Sequence, residues 1–138
     1  MILNHHDLRI ELDDAWWAEA QMAGFVPTAR AYRADSNAAE GRLVFEVRIG
    51  DIGPVGRKLG VGIFNNNKEK TARERVVSIL TGFRKGAAIP PIELVDAPSG
   101  SPFRYKLTAG THRLYCALAV GFSHVPAVEG FDITDPYI

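Results

Sequence analysis

The chain has 138 residues, 46% of them hydrophobic, which suits a single domain with a core of its own. Sixteen basic and sixteen acidic side chains give a formal net charge of zero, which argues against unaided binding to nucleic acid or to an anionic membrane. Cys116 is the single cysteine, so the sequence has neither an internal disulfide nor the Cys and His spacing of a structural zinc site.

The N-terminal stretch MILNHHDLRIELDD is interrupted by polar and charged residues before any apolar run develops. It therefore matches neither a signal peptide nor a membrane anchor, which needs about 20 apolar residues. Together with the lone cysteine, this pattern predicts a cytoplasmic protein without a membrane partner.

Residues 1–41 are predicted to form a helical appendage and a loop ahead of a domain at 42–138, within one compact unit. Residues 13–24 have N-capping aspartates, apolar residues at helical spacing and Gly24 as a stop signal. Trp16 and Trp17 point about 100° apart on such a helix, so one of them is expected to cover an edge of the main domain or a partner. Packing of these tryptophans against the core is the first expectation, and the segment is also the candidate surface for a homodimer or a protein partner.

From residue 42 onward the pattern predicts strand, loop, helix, strand, strand, helix and strand. Residues 42–52 alternate with the period of two of a half-buried strand, and the Gly- and Asn-rich residues 53–67 are predicted to form a loop. Residues 68–86 predict a helix with Thr71 and Glu74 at capping-box spacing and Gly86 after its end. Its apolar stripe comprises Val76, Val77, Leu80 and Phe83.

The last third of the chain predicts two short strands, at 90–97 and 103–110, then a helix and a final strand. The helix opens at Thr111, ends at Gly121 and buries Leu114, Ala117 and Leu118. This succession predicts an α+β fold in which helices pack on a small mixed sheet.

The turn before that helix reads Gly110, Thr111, His112 and Arg113. Gly110 permits a sharp turn, Thr111 can cap the helix, and Arg113 offers a forked donor suited to phosphate. The first N–H groups of a helix lack internal partners and carry the positive end of its dipole, so an anion could bind there. The same residues also fit an ordinary strand-to-helix turn with a solvated arginine and a structural histidine.

The stretches AIPPIELV and YKLTAGTHRLYCALAVGFSHVPAV resemble the core of the ParB/sulfiredoxin superfamily. The resemblance covers roughly residues 44–128. It implies a ParB/sulfiredoxin-like fold in which Gly110, Thr111, His112 and Arg113 line nucleotide phosphates. It further implies a phosphate-facing role for Arg57 and, less strongly, hydroxyl contacts from Ser78 and Thr81.

The sequence departs from this superfamily at two positions that carry its chemistry. Sulfiredoxins have a nucleophilic cysteine where this chain has Thr111, and Cys116 lies inside the helix, where a lone cysteine usually acts as an apolar filler. ParB proteins have a glutamate in this turn, and this chain does not. Other relatives have an acidic residue just before the glycine, where this chain has Ala109. Sulfiredoxin activity and spreading on DNA are therefore not expected.

Three classes of function remain open at this point. The first is an enzyme that hydrolyses or transfers a phosphoryl group, with His112 as a hydrogen-bond donor, acid or base. The second is a nucleotide-binding regulatory module without turnover, and the third is a module for protein or nucleic-acid interaction. The candidate cofactor is a nucleoside triphosphate with Mg²⁺, no residue is assigned as catalytic or as a metal ligand, and Glu46, Asp51 and Glu93 are expected to be structural or solvated.

Overall fold

This computed structural model describes residues 1–55 and 62–131, which contain two β-sheets and three α-helices joined by loops and turns. The helices are α1 (Asp14–Glu19), α2 (Ala72–Lys85) and α3 (Thr111–Val120). The strands are β1 (Ile2–His5), β2 (Leu8–Glu11), β3 (Phe45–Arg48), β4 (Ile92–Asp96), β5 (Tyr105–Ala109) and β6 (His124–Glu129). The predicted α+β class is confirmed.

The main sheet is mixed and has the strand order β3-β6-β4-β5. β6 runs antiparallel to β3 and parallel to β4, while β4 and β5 form an antiparallel pair. Along the chain, α3 lies between β5, which is an edge strand of this sheet, and β6. The N-terminus of α3 therefore directly follows the edge strand β5.

The core joins both sheets and all three helices in one hydrophobic cluster. Strand and helix residues such as Leu80, Ile92, Leu114 and Val125 have no accessible surface. The first 41 residues contribute to the same cluster, through fully buried positions that include Ile10, Leu12, Ala20 and Met22. The predicted appendage is thus packed into the core of the domain that it precedes.

The helix α2 forms as its sequence predicts. The Thr71 hydroxyl accepts from the Glu74 N–H, the Glu74 side chain accepts in return from the Thr71 N–H, and Gly86 ends the helix in the left-handed conformation. Ala72, Val76, Leu80 and Phe83 are buried on one side of the helix, so the opposite side is left for other contacts.

Three local predictions for the first half of the chain are wrong. The helix α1 ends at Glu19 instead of running toward Gly24, because Gln21 already adopts a left-handed conformation with φ of 59°. β3 covers only Phe45–Arg48, and residues Ile49–Asp51 form a 3-10 turn. Leu43, which falls inside the range 42–52 predicted as a half-buried strand, lies before β3 and is 82% exposed.

The two tryptophans both pack against the core. Trp16 and Trp17 are half-buried at the edge of the hydrophobic cluster, and α1 contacts α2. Within residues 1–55 and 62–131, no helix has the length and apolar character that a membrane span needs.

Candidate anion-binding cleft

A cleft of about 820 Å³ lies between one side of α2, the start of α3 and the loops on either side of α2. The loop before α2 contributes Asn65, Asn67, Glu69 and Lys70, and the loop after it contributes residues 87–90. The turn at Gly110 and the first three residues of α3 complete the lining. The residues that the sequence singled out at this turn therefore line one cleft together.

One face of α2 runs along the whole cleft. Arg75, Ser78, Ile79, Gly82 and Lys85 line it at intervals of three and four residues, which is the spacing of a single helical face. Arg75 and Lys85 are ten positions apart, and with a rise of about 1.5 Å per residue this face is about 15 Å long. The cleft thus has a cationic residue near each end of the α2 face.

Gly110 allows α3 to begin close to β4. It adopts a φ of 102°, and a Cβ atom at this position would lie 2.8 Å from Ile92 Cγ2 and 3.2 Å from Arg113 Nη2. A residue with a side chain would therefore meet both a buried strand residue and the guanidinium. The glycine lets Arg113 fold back over the turn.

The start of α3 has no side-chain cap. Gly110 is the N-cap residue, and Thr111 is the first residue of the helix, so the prediction that Thr111 caps the helix is wrong. A glycine supplies no side-chain oxygen to accept from the first N–H groups, and the positive end of the helix dipole faces the cleft. The missing cap leaves this end suited to an external acceptor.

Arg113 is held in place without a carboxylate partner. Its Nη1 donates to the Pro91 carbonyl oxygen at 2.6 Å, and its side chain is half-buried. Burial lowers the pKa of the Arg113 guanidinium, the Tyr32 phenol and the Glu93 carboxylate oppose this shift, and the positive charge of Arg75 adds to it. Glu93 itself is paired with Arg42 at 2.7 Å.

Arg75 faces the cleft from α2 and is oriented by the loop before that helix. Its Nη1 donates to the Asn65 carbonyl oxygen at 3.1 Å and to Asn65 Oδ1 at 3.2 Å. The Asn65 N–H in turn donates to His112 Nε2 at 3.2 Å. His112 is only 5% exposed, and its ring centroid lies 5.6 Å from that of Phe64.

The cleft has a surplus of positive charge although the whole chain is neutral. Its lining contains four basic side chains, Lys70, Arg75, Lys85 and Arg113, and one acidic side chain, Glu69, a difference of three charges. Over the described ranges, none of the four cations forms an ion pair with a carboxylate. Five ion pairs are formed elsewhere in the part of the chain that the structure describes, so the uncompensated charge at the cleft is a local property.

Several sequence predictions bear on the lining. Ser78 and Thr81 line the cleft with the turn residues, whereas Arg57 lies outside the described residues. Asn65, Arg75 and Lys85 also line the cleft, although none of them belongs to a predicted site. Arg75 and Lys85 could have been found from their helical spacing to Ser78, but the loop residue Asn65 carried no local signal.

Cys116, Glu46 and Glu93 are buried or paired outside the lining of the cleft. Cys116 is completely buried, which raises the pKa of its thiol and matches its predicted role as an apolar filler. Glu46 pairs with Arg30 at 2.5 Å, as Glu93 does with Arg42. Across residues 1–55 and 62–131, no group of three or more His, Cys, Asp or Glu residues is arranged to hold a metal ion.

Comparisons with protein-family models, with curated proteins and with solved structures find no match for this chain. The geometry of the cleft therefore has to carry the functional argument.

Proposed function

We propose that the cleft binds a phosphate-bearing ligand, with a nucleotide as the first candidate. The observation that carries this proposal is the placement of two arginines, Arg75 and Arg113, in the lining of one cleft with the uncapped start of α3. An anion between them would receive charge-assisted hydrogen bonds from both guanidinium groups and from the helix N–H groups. Its negative charge would offset the surplus of positive charge in the lining.

The size and lining of the cleft favour a ligand larger than free phosphate. A volume of about 820 Å³ is typical of clefts that bind small organic molecules, which span roughly 300–1,000 Å³. Ile79, Ile89 and Pro90 offer apolar surface for the uncharged part of such a ligand, and Asn65 and Asn67 offer amide groups. The resemblance of residues 44–128 to nucleotide-binding ParB/sulfiredoxin proteins supports the same choice.

Binding is favoured over phosphoryl transfer by the environment of the candidate groups. His112 Nε2 already accepts from the Asn65 N–H, and Thr111 replaces the sulfiredoxin cysteine with a weaker nucleophile. Glu69 is the one carboxylate among the described lining residues, so Mg²⁺ would be held mainly by the phosphates of the ligand. We therefore propose a binding module, with turnover as a separate outcome of the same experiment.

The test is a thermal-shift series with ATP, GTP, CTP, ADP and pyrophosphate, each with and without Mg²⁺. A ligand at about 100 times its Kd stabilises the folded state by about 2.7 kcal/mol, which raises the Tm by several degrees. Nucleotide samples are then checked by chromatography for hydrolysis. A dimer that responds to none of these compounds would contradict the proposal and favour a protein-interaction module.

Two charge-matched variants connect any response to the cleft. Arg113→Gln removes a guanidinium from the lining, while Arg48→Gln removes one from an exposed position on β3 that pairs with no carboxylate among residues 1–55 and 62–131. Loss of a charged hydrogen bond costs about 1.5–3 kcal/mol, or roughly a ten- to hundredfold weaker Kd. We expect this loss for Arg113→Gln only, and equal losses in the two variants would count against the cleft.

A further inference from the structure

We propose that His112 is a positioning residue of the cleft: its neutral imidazole fixes the loop at residues 65–67 and, through Asn65, the guanidinium of Arg75. The proposal departs from the phosphate contact that the sequence resemblance implied for His112 and from the acid or base role that a phosphoryl-transfer enzyme would give it. Its consequence for ligand affinity rests on the proposed function, but its structural part does not.

The tautomer of His112 follows from the group that faces it. Nε2 lies 3.2 Å from the Asn65 backbone nitrogen, which can only donate a hydrogen bond. Nε2 must therefore present its lone pair, and the single proton of the neutral ring lies on Nδ1. Protonation of Nε2 would set two donors against each other and break this contact.

Asn65 links His112 at the start of α3 to Arg75 on α2 through hydrogen bonds. Its carbonyl oxygen and its Oδ1 both accept from Arg75 Nη1, while its N–H donates to His112. A single loop residue therefore joins the first turn of α3 to the cationic face of α2. The two bonds hold the Arg75 guanidinium at the loop beside the cleft.

The position of the imidazole explains why it acts indirectly. His112 is only 5% exposed and packs beside Phe64, and its Nε2 lone pair is occupied by the loop. A ligand in the cleft would therefore meet the Arg75 guanidinium that His112 helps to orient. His112 would influence affinity through Arg75 and not through a contact of Nε2 with the ligand.

Two substitutions separate the hydrogen bond from the packing. His112→Gln places an amide oxygen where Nε2 accepts, whereas His112→Phe keeps a ring beside Phe64 and removes the acceptor. We expect faster hydrogen exchange at the Asn65 amide in His112→Phe and near wild-type exchange in His112→Gln. Unchanged exchange in a folded His112→Phe protein would overturn the proposal.

The ring-nitrogen NMR spectrum of the wild type provides a second readout, which holds even where His112→Phe fails to fold. An unprotonated Nε2 is expected at neutral pH, and a protonated Nε2 would overturn the proposal. Both this spectrum and amide exchange decide the matter even if the wild type binds no pyrophosphate, a result that would contradict only the proposed function.

A double-mutant cycle tests the route through Arg75, with pyrophosphate as the probe. We expect His112→Phe and Arg75→Gln each to weaken binding roughly tenfold, and the double variant to bind like Arg75→Gln alone within about twofold. Losses that multiply in the double variant would show that His112 contacts the ligand independently, contrary to the proposal.

Discussion

Gly110 and Gly121 cap the two ends of α3 with nearly the same backbone conformation, which makes them a matched pair for substitution by alanine. Their φ angles are 102° and 103°, so alanine incurs a similar left-handed strain of about 1–2 kcal/mol at each site. Their surroundings differ. A Cβ atom at Gly121 meets nothing within 4 Å, whereas one at Gly110 lies 2.8 Å from Cγ2 of the fully buried Ile92.

The steric overlap at Gly110 adds an overpacking cost of about 1–3 kcal/mol to the conformational strain. We therefore expect Gly110→Ala to lower the free energy of unfolding by about 2–5 kcal/mol and Gly121→Ala by about 1–2 kcal/mol. For a domain of this size the difference corresponds to roughly 3–10 °C in Tm.

Urea unfolding followed by circular dichroism measures both variants under the same conditions, and unchanged m values would show that the unfolded states are comparable. Equal losses in the two variants would refute the close approach of α3 to β4. They would also remove the steric reason for a glycine before Arg113.

Three further results are expected from buried groups. His5 donates to the Ile49 carbonyl oxygen and accepts from the Tyr115 hydroxyl, and burial lowers its pKa. The free energy of unfolding should therefore fall as the pH drops below about 6.5, and it should fall less steeply in His5→Gln. Identical pH profiles of the urea midpoints of the wild type and His5→Gln would contradict this. Leu80→Ala should cost about 2–5 kcal/mol in urea unfolding, because Leu80 has no accessible surface, and a loss below about 1 kcal/mol would contradict the described core. The Cys116 thiol should react with a thiol reagent only as fast as the protein unfolds, and rapid labelling of the native protein would argue against its burial.

The parts of the fold that were predicted from sequence are those with strong local signals. The capping box at Thr71 and Glu74 and the apolar stripe ending at Phe83 predict α2 from residues that lie close together in the sequence. The glycines before and after α3 mark its two ends in the same way. These signals come from residues three or four positions apart, which a sequence displays directly.

The N-terminal hairpin was missed because its turn has an unusual sequence. β1 and β2 pair directly around His6 and Asp7, with His6 at a φ of 56°, where a hairpin turn usually has Asn-Gly or Asp-Gly. The burial of Ile10 depends on packing against distant parts of the chain. No local pattern distinguishes such a segment from an appendage.

Only part of the candidate site could be predicted from the sequence, for a similar reason. The turn at Gly110 and Arg113 is a local motif, and its chemistry could be predicted from the properties of helix ends. The second cation, Arg75, joins it through the packing of α2 beside α3 and through Asn65. The surplus of positive charge in the cleft therefore arises from tertiary structure, which brings Arg75 and Arg113 to one lining.

Anion binding in the cleft is tested most directly by a titration of the ¹⁵N-labelled protein with pyrophosphate, followed by NMR. An anion in the cleft should shift the amide signals of Thr111 and Arg113 and those along the cleft face of α2, with little change in β1 and β2. The shifts should weaken as salt is added, because screening reduces the attraction between the ligand and the cationic lining. Shifts confined to residues outside the cleft, or none at millimolar pyrophosphate, would contradict the assignment of this cleft as an anion-binding site.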